Sequence, residues 1–335
     1  MFADVVVDLQ YGDCGKGKVT YNLCKREDNP YTHVIRYNGG CNAGHTIYHY
    51  GKKYVTHHIP SGVFFGIRSI IGPGCVVNVK QFLKEYEELK DAGIPIVGKI
   101  FVAENAHIIT DSHLKEDRED KKIGTTKRGN GPAYRDKYAR KGLRAKDVPE
   151  LQPFLIDVYK DLFENLTDPK ILFEGAQGFG LDIDWGDYPY VTSSHCTVGS
   201  AVLNGVPPQM IREIWGVAKA YETYVGAKKF QTKDPIFDRI RNAGDEYGAT
   251  TGRPRQCGWM DLTLLKKSLN INGVTHMVIN KMDVLQKVNR WAAKEEDTTH
   301  YFDTENDMKD WLTSKLRTRL GPLGRIYFSE SPEFI

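Results

Sequence analysis

Short β-branched runs alternate along the chain with stretches of helical periodicity. The apolar run "DVVVDL" opens the series, and "HVIRYN", "KIFVAEN", "KILFEGA", "EIWGVAKAY", "HMVINKMD" and "RIYFS" follow, each rich in Val, Ile or Phe. Between them Val79, Phe82, Leu83, Tyr86 and Leu89 recur at helical spacing, so "NVKQFLKEYEELKDAG" predicts an amphipathic helix ended by Gly93. Alternation of this kind predicts an α/β fold with a mostly parallel, open central sheet flanked by helices. Ligands of such sheets gather beyond the carboxyl ends of the strands, where most of these runs turn polar or glycine-rich. The charged stretch "DSHLKEDREDKK", residues 111–122, predicts a solvated surface loop. No internal repeat or low-complexity linker divides the chain, which reads as a single domain, 1–335, with loop and helical insertions.

Composition narrows the class. The chain has 335 residues, 40% of them hydrophobic and 27% charged, an ordinary globular balance able to bury a large core. A net charge of +3 is small for this length, so no broad nucleic-acid-binding face is demanded, and small anionic ligands fit better. The six cysteines are scattered without a CxxC pair, as expected of free thiols in a reducing cytoplasm. No stretch approaches the ~20 apolar residues of a membrane span, and no export signal opens the chain.

Chemistry concentrates in a few segments. In "QYGDCGKGKVT", Gly12, Gly15, Lys16, Gly17 and Lys18 follow a strand in the manner of a phosphate loop, whose backbone N–H groups face an anion. Val19 replaces the hydroxyl that such a loop offers magnesium, and Asp13 places a carboxylate inside it. Two unit charges ~4 Å apart interact by ~4 kcal/mol at an effective dielectric of 20. Asp13 must therefore face a cation or a proton donor, either the magnesium of a nucleotide or a second substrate. "YNGGCNAGHTIYH" sets Asn42, Gly44 and His45 in a second glycine-rich turn, where His45 suits a general acid.

"GTTKRGNGPAYRDKYARKGLR" joins Thr125 and Thr126 to a basic run containing Arg140. It reads as a phosphomonoester pocket, a solvated basic helix or a nucleic-acid patch. Gln177 lies between glycines at a strand end, and Thr192, Ser193 and Ser194 follow it, donors suited to phosphate or a base. Thr250, Thr251, Arg253 and Arg255 surround Gly252, and the two arginines, parted by Pro254, suit a small dicarboxylate. Asn280, Lys281 and Asp283 in "NKMD" form the pattern in which a carboxylate accepts guanine N–H groups.

Together, in this order from residue 4 to about 285, these segments resemble adenylosuccinate synthetases. "GDCGKGK" is similar to that family's GDEGKGK, and "NAGHT", "FEGAQG", "TSS", "TTGRPR" and "NKMD" follow in register. The resemblance implies a ligase that uses GTP and Mg2+ to phosphorylate the 6-oxygen of a purine nucleoside monophosphate, after which the amino group of L-aspartate displaces phosphate. It implies that Asp13 is the base at N1 and a metal ligand with Gly44, that His45 assists γ-phosphate transfer, and that Gln177 lies at the 6-oxygen. Gly12, Gly15, Lys16, Gly17, Lys18, Lys281, Asp283 and Ser329 would bind the nucleoside triphosphate. Asn42, Thr125, Thr126, Thr192, Val225, Arg253 and Gln177 would hold the acceptor, with Arg140 reaching in from the neighbouring subunit of a homodimer. Thr250, Thr251, Arg253 and Arg255 would hold aspartate.

The sequence departs from the family pattern at Cys14, Cys41, Lys127, Tyr224, Lys228, Lys229 and Gln256, and "SESP" at Ser329–Pro332 replaces SxGP, which keeps ATP open as the donor. These changes gather at the sugar and purine edge. They favour the family's phage branch, which aminates (d)GMP to N6-succino-2-amino-(deoxy)adenylate for 2-aminoadenine DNA, over an IMP enzyme of AMP biosynthesis. A GTP-binding regulatory module is the reading from another class, with a nucleic-acid-binding protein behind it. Localisation is expected in the cytoplasm, that of the host if the gene is a phage's.

Overall fold

The computed structural model describes every residue except 29, 121, 166–167, 249–251 and 322–323. Nine strands form one sheet in the order Arg325–Phe328, His276–Asn280, Ile211–Lys219, Phe2–Asp8, Lys170–Glu174, His33–Arg36, Arg68–Ile71, Ile100–Ala103 and Leu155–Ile156. Every neighbouring pair is parallel. Parallel strands are covered on both faces, so they read as unbroken apolar runs, and the two faces can be told apart only by packing. Val5, Val7, Ile35, Phe173 and Ile279 enter the main core. Val6, Val34, Leu172, Val217 and Val278 turn the other way, onto Val19, Leu23 and Cys24 of the Lys16–Lys25 helix. That helix is thereby fixed against the middle of the sheet, with its N-terminus at the strands' carboxyl edge.

The same edge collects charge. Asp8, Glu174, Arg36, Lys219 and Asn280 are each the last residue of a central strand, and each is at least 95% buried. Register sets Arg36 beside Glu174 and Lys219 beside Asn280. Buried charges persist only where they are paired or hydrogen-bonded, so this edge is where a site is to be sought.

The expected helix spans Val79–Asp91, with Asn78 accepting the Gln81 N–H at 3.0 Å and Gly93 beyond its end at φ 77°. The 111–122 stretch corrects its expectation. Asp111–Glu119 is a helix, opened by a reciprocal cap between Thr110 and His113. Charge hid it, because only His113 and Asp117 are buried, and Asp117 is held by the Thr125 hydroxyl (2.8 Å) and the Gly129 N–H (2.7 Å). His45 also differs from expectation, since it begins the strand His45–His49, which pairs with Lys52–Thr56 in a hairpin. A smaller sheet of Tyr221–Tyr224, Gln256–Asp261, Trp291–Glu295 and Thr298–Phe302 had no clear periodic signal. All six cysteines are buried and free. Among the described residues no helix is long and apolar enough to cross a membrane.

Candidate active site

The loop after the first strand closes on the strand's own last residue. The Asp8 carboxylate accepts the N–H groups of Gln10 (3.0 Å), Gly12 (3.1 Å) and Cys14 (3.1 Å), and the Lys16 ammonium lies 3.0 Å away. An internal carboxylate thus shapes the turn before any phosphate arrives. The first turn of the Lys16–Lys25 helix has no side-chain cap, which leaves its N–H groups for an anion. Gly15, at φ 98°, cannot carry a side chain, because a Cβ there would lie 2.8 Å from Nδ2 of Asn280. That amide donates to the Cys14 carbonyl at 2.7 Å, so the asparagine of "NKMD" fastens the loop. Gly178 serves the close approach from the other side, where a Cβ would meet the Gly12 nitrogen at 2.4 Å. Gln177, at φ 62°, accepts the Lys16 ammonium on its carbonyl at 2.5 Å.

Asp13, expected to face a nucleotide's magnesium or a second substrate, meets a cation of the chain itself. Its side chain is 39% exposed and meets the Arg255 guanidinium at 2.9 Å. Arg255 also binds Glu246, a fully buried carboxylate that takes the Tyr221 hydroxyl at 2.6 Å and faces the Lys219 ammonium at 3.3 Å. Burial alone would raise the Glu246 carboxyl, but Lys219 and Arg255 hold it down at about 2. The sequence reading set Arg255 in an open carboxylate-gripping loop; its guanidinium is already engaged by two carboxylates of the chain. Thr250 and Thr251, assigned to the same loop, lie outside the described residues.

His45 is seated on Glu174. Its Nδ1 bonds the carboxylate, which also accepts the Ser61 N–H (2.7 Å) and hydroxyl (2.8 Å). A carboxylate can only accept, so Nδ1 carries the proton and Nε2 keeps its lone pair. Nε2 is buried without a partner among the described residues. Burial, helped by Arg36, pulls the imidazole down to about 4, and the ring is neutral near pH 7. Gly17 makes room for it, since a Cβ there would lie 2.9 Å from the His45 Cβ. Asp13, Lys16, Gln177 and His45 therefore border one place, the N-terminus of the Lys16–Lys25 helix.

The segments assigned to the acceptor also draw together. Arg253 donates to the Gly124 carbonyl at 3.2 Å, and the Ala227 N–H reaches the Ile123 carbonyl at 3.3 Å, joining the Thr125–Thr126 turn to the stretch after Val225. Asn42 accepts the Asn130 amide at 2.7 Å, and the Thr192 N–H is tied to the Leu181 carbonyl at 2.8 Å. Arg140 is exposed, at φ 61°.

At the donor end, Lys281 donates to the Gly244 carbonyl at 2.9 Å, and Asp283 pairs with Lys287 at 2.8 Å. Lys18, assigned to phosphate, is engaged elsewhere. It donates to Ser329 Oγ (2.8 Å) and to the carbonyls of Ser331 (2.9 Å) and Phe334 (3.1 Å), and burial lowers its pKa to about 7. Sequence reasoning passed over Asp8, Glu174, Lys219 and Glu246. The first three had a signal, a charged residue closing an apolar strand run.

A parallel open sheet whose carboxyl edge opens onto a glycine-rich loop and a free helix N-terminus defines a nucleotide-binding α/β protein. The adenylosuccinate synthetase family profile matches residues 5–154 and 148–294. Over 335 aligned residues the chain is 42% identical to adenylosuccinate synthetase of Halothermothrix orenii, covering 84% of this chain and 77% of that one. It is 39% identical to that of Helicobacter pylori strain HPAG1, covering 85% and 80%. A fully ligated adenylosuccinate synthetase from Plasmodium falciparum superposes with a TM-score of 0.86 at 28% identity, over 98% of this chain and 97% of that one. The succinoaminodeoxyadenylate synthetase of cyanophage S-2L, bound to dGMP and to dATP as energy donor, shares the fold with a TM-score of 0.77 at 22% identity, over 99% and 93%. The chain belongs to the adenylosuccinate synthetase family. It is thus a carbon–nitrogen ligase, and the regulatory-module reading gives way.

Proposed function

We propose that the protein joins L-aspartate to the 6-oxo carbon of a purine nucleoside monophosphate through a 6-phosphoryl intermediate. One observation carries this reading: Asp13, Lys16, Gln177 and His45 converge on the same helix N-terminus, within reach of Arg255. Asp13 takes the N1 proton as the purine 6-oxygen attacks the γ-phosphorus of the donor, and the nucleoside diphosphate leaves. The amino group of aspartate then attacks C6, inorganic phosphate departs, and succinylated product remains. Lys16 and the first-turn N–H groups balance the phosphate charge. The arriving phosphates oppose the burial that keeps His45 neutral, so that Nε2 gains the proton it needs as an acid. Asp13 and the Gly44 carbonyl supply hard oxygen donors of the kind magnesium shares with phosphates, and magnesium would neutralise charge on the transferring group. Lys281, Asp283 and Ser329 serve the donor base, with GTP as donor and ATP as the alternative.

(d)GMP is the proposed acceptor, and 2-aminoadenine DNA synthesis the proposed setting. Tyr224, one of the departures from the family pattern, supports this, because its ring stacks on Phe230 at 5.6 Å. The loop that follows is rebuilt as well. Lys228 pairs with Asp187, while the Gln256 amide accepts from the N–H groups of Phe230 (2.8 Å) and Gln231 (3.1 Å) and donates to the Lys228 carbonyl (2.8 Å). IMP is the second reading, supported by the 42% identity to an adenylosuccinate synthetase. A homodimer in the cytoplasm is part of the proposal. Exposed Tyr138 and Leu143, which flank Arg140 along the chain, suit a face that another subunit covers.

The test is phosphate release with aspartate and each of IMP, dIMP, GMP and dGMP, with GTP or ATP as donor. Preference for GMP or dGMP supports the acceptor proposed, and preference for IMP overturns it. Release without aspartate or acceptor overturns the ligase mechanism for this site.

A further inference from the structure

Arg255 is held by two contacts of different kinds. Its inner partner, Glu246, is fully buried and also receives the Tyr221 hydroxyl at 2.6 Å, with the Lys219 ammonium at 3.3 Å. The outer partner, Asp13, is 39% exposed, and its contact at 2.9 Å is open to solvent and to competing carboxylates. The backbone of Arg255 cannot follow its side chain. Its N–H is bound to the Glu246 carbonyl at 3.0 Å, and its own carbonyl accepts the Arg241 Nε at 2.6 Å. Arg255 Nε is buried and has no acceptor among the described residues, so the guanidinium still has a donor for an incoming group.

From this arrangement we infer that Glu246 is a positioning residue for aspartate. It locks one side of the Arg255 guanidinium while the other side exchanges Asp13 for a carboxylate of the substrate. The exchange frees Asp13 for the purine as aspartate binds, and so links filling of the aspartate site to the availability of the base. Glu246 itself touches neither substrate. No covalent step is added, because the exchange replaces one ion pair by another. The inference rests on the ligase reading proposed above.

The test compares Glu246→Gln with the wild-type protein in steady-state assays that vary aspartate, acceptor and donor separately. The amide keeps the shape but loses the charge that orients Arg255. The expected result is a rise in KM for aspartate of roughly tenfold, with the KM values for acceptor and donor within about twofold of wild type. Tyr221→Phe removes one hydrogen bond from Glu246 and is expected to raise the same constant by roughly threefold. It decides the matter if Glu246→Gln does not fold. An unchanged KM for aspartate in a folded variant overturns the inference, as does an equal loss across all three substrates. If the wild-type protein itself shows no aspartate-dependent turnover, the ligase reading fails, and this inference fails with it. Wild-type turnover beside an indifferent variant sinks the inference alone.

Discussion

The phosphate-loop edge and the basic 124–144 segment both carry many charges, yet they manage them in opposite ways. At the loop edge the charges are held inside the chain: Lys16 pairs with Asp8, Arg255 with Asp13 and Glu246, and Glu174 accepts a hydrogen bond from neutral His45. In the 124–144 segment Arg140, Lys141 and Arg144 stand exposed at the end of the Asn130–Tyr138 helix. Preorganised pairs cost reorganisation when they must change partner, and they favour geometry where bonds are made. Exposed cations cost little and wait for an anion or another subunit. The difference separates residues expected to set turnover from residues expected to set binding.

The largest expected effect is at Asp13. Replacing it with asparagine removes the proposed base but keeps the loop, and turnover is expected to fall by about 10³-fold, measured as phosphate release with saturating substrates. An undiminished rate would break the assignment of chemistry to the loop edge. Glu174→Gln is expected to cost about 10²-fold, because the amide can no longer fix the proton on His45 Nδ1. A rate within twofold of wild type would reduce the pair to packing.

Gly178→Ala probes the close contact beneath the loop. A methyl group there meets the Gln10 carbonyl at 2.5 Å and Asp8 Oδ1 at 2.6 Å. About 1–3 kcal/mol of stability should be lost, read from urea unfolding.

Acid stability sharpens the comparison further. The His45 pKa is about 4 in the folded protein against an ordinary 6.5, so the unfolded chain takes up the proton first. Stability therefore declines as pH falls from 6.5 towards 4. Glu246, held at about 2 against 4.5, gives stability that is whole above about pH 4.5 and gone below about 2. The Glu246 step should be ~3 kcal/mol, visible as a fall in urea midpoint across that range. Glu246→Gln should shrink this lower step, to which Glu295, held down by Lys266 and Lys315, also contributes, and leave the upper one.

The smallest effect on stability is expected at Arg140, where alanine should change unfolding by less than about 0.5 kcal/mol. Its effect should fall on the KM for the acceptor. If Arg140 serves a neighbouring site, mixing Arg140→Ala with Asp13→Asn should restore part of the activity that either lacks alone. No recovery on mixing would place Arg140 outside the neighbour's site.

Sequence pattern carried the large parallel sheet well, because strands buried on both faces must be continuously apolar, and "DVVVDL" or "HMVIN" has few alternatives. It carried the Val79–Asp91 helix for a similar reason, with an apolar stripe and a capping asparagine. It failed at Asp111–Glu119, where the buried residues are a histidine and an aspartate rather than a stripe of leucines. It failed also at His45, since neighbouring glycines suggested a turn where hairpin pairing makes a strand. For the site, the conspicuous residues were legible and their supports were not. Asp13 raised an electrostatic question from its place among glycines, but the partner that answers it lies 242 positions away.

What the sequence by itself determined was the family, the order of the ligand-bearing segments and the need for a cation or a proton donor at Asp13, because these follow from residue type and short-range spacing. Only the tertiary structure decided which cation that is, which carboxylate orients His45, and that Lys18 serves the C-terminal segment. Each of those depends on side chains brought within 3 Å or so across distant stretches of chain, and no local pattern encodes such a distance.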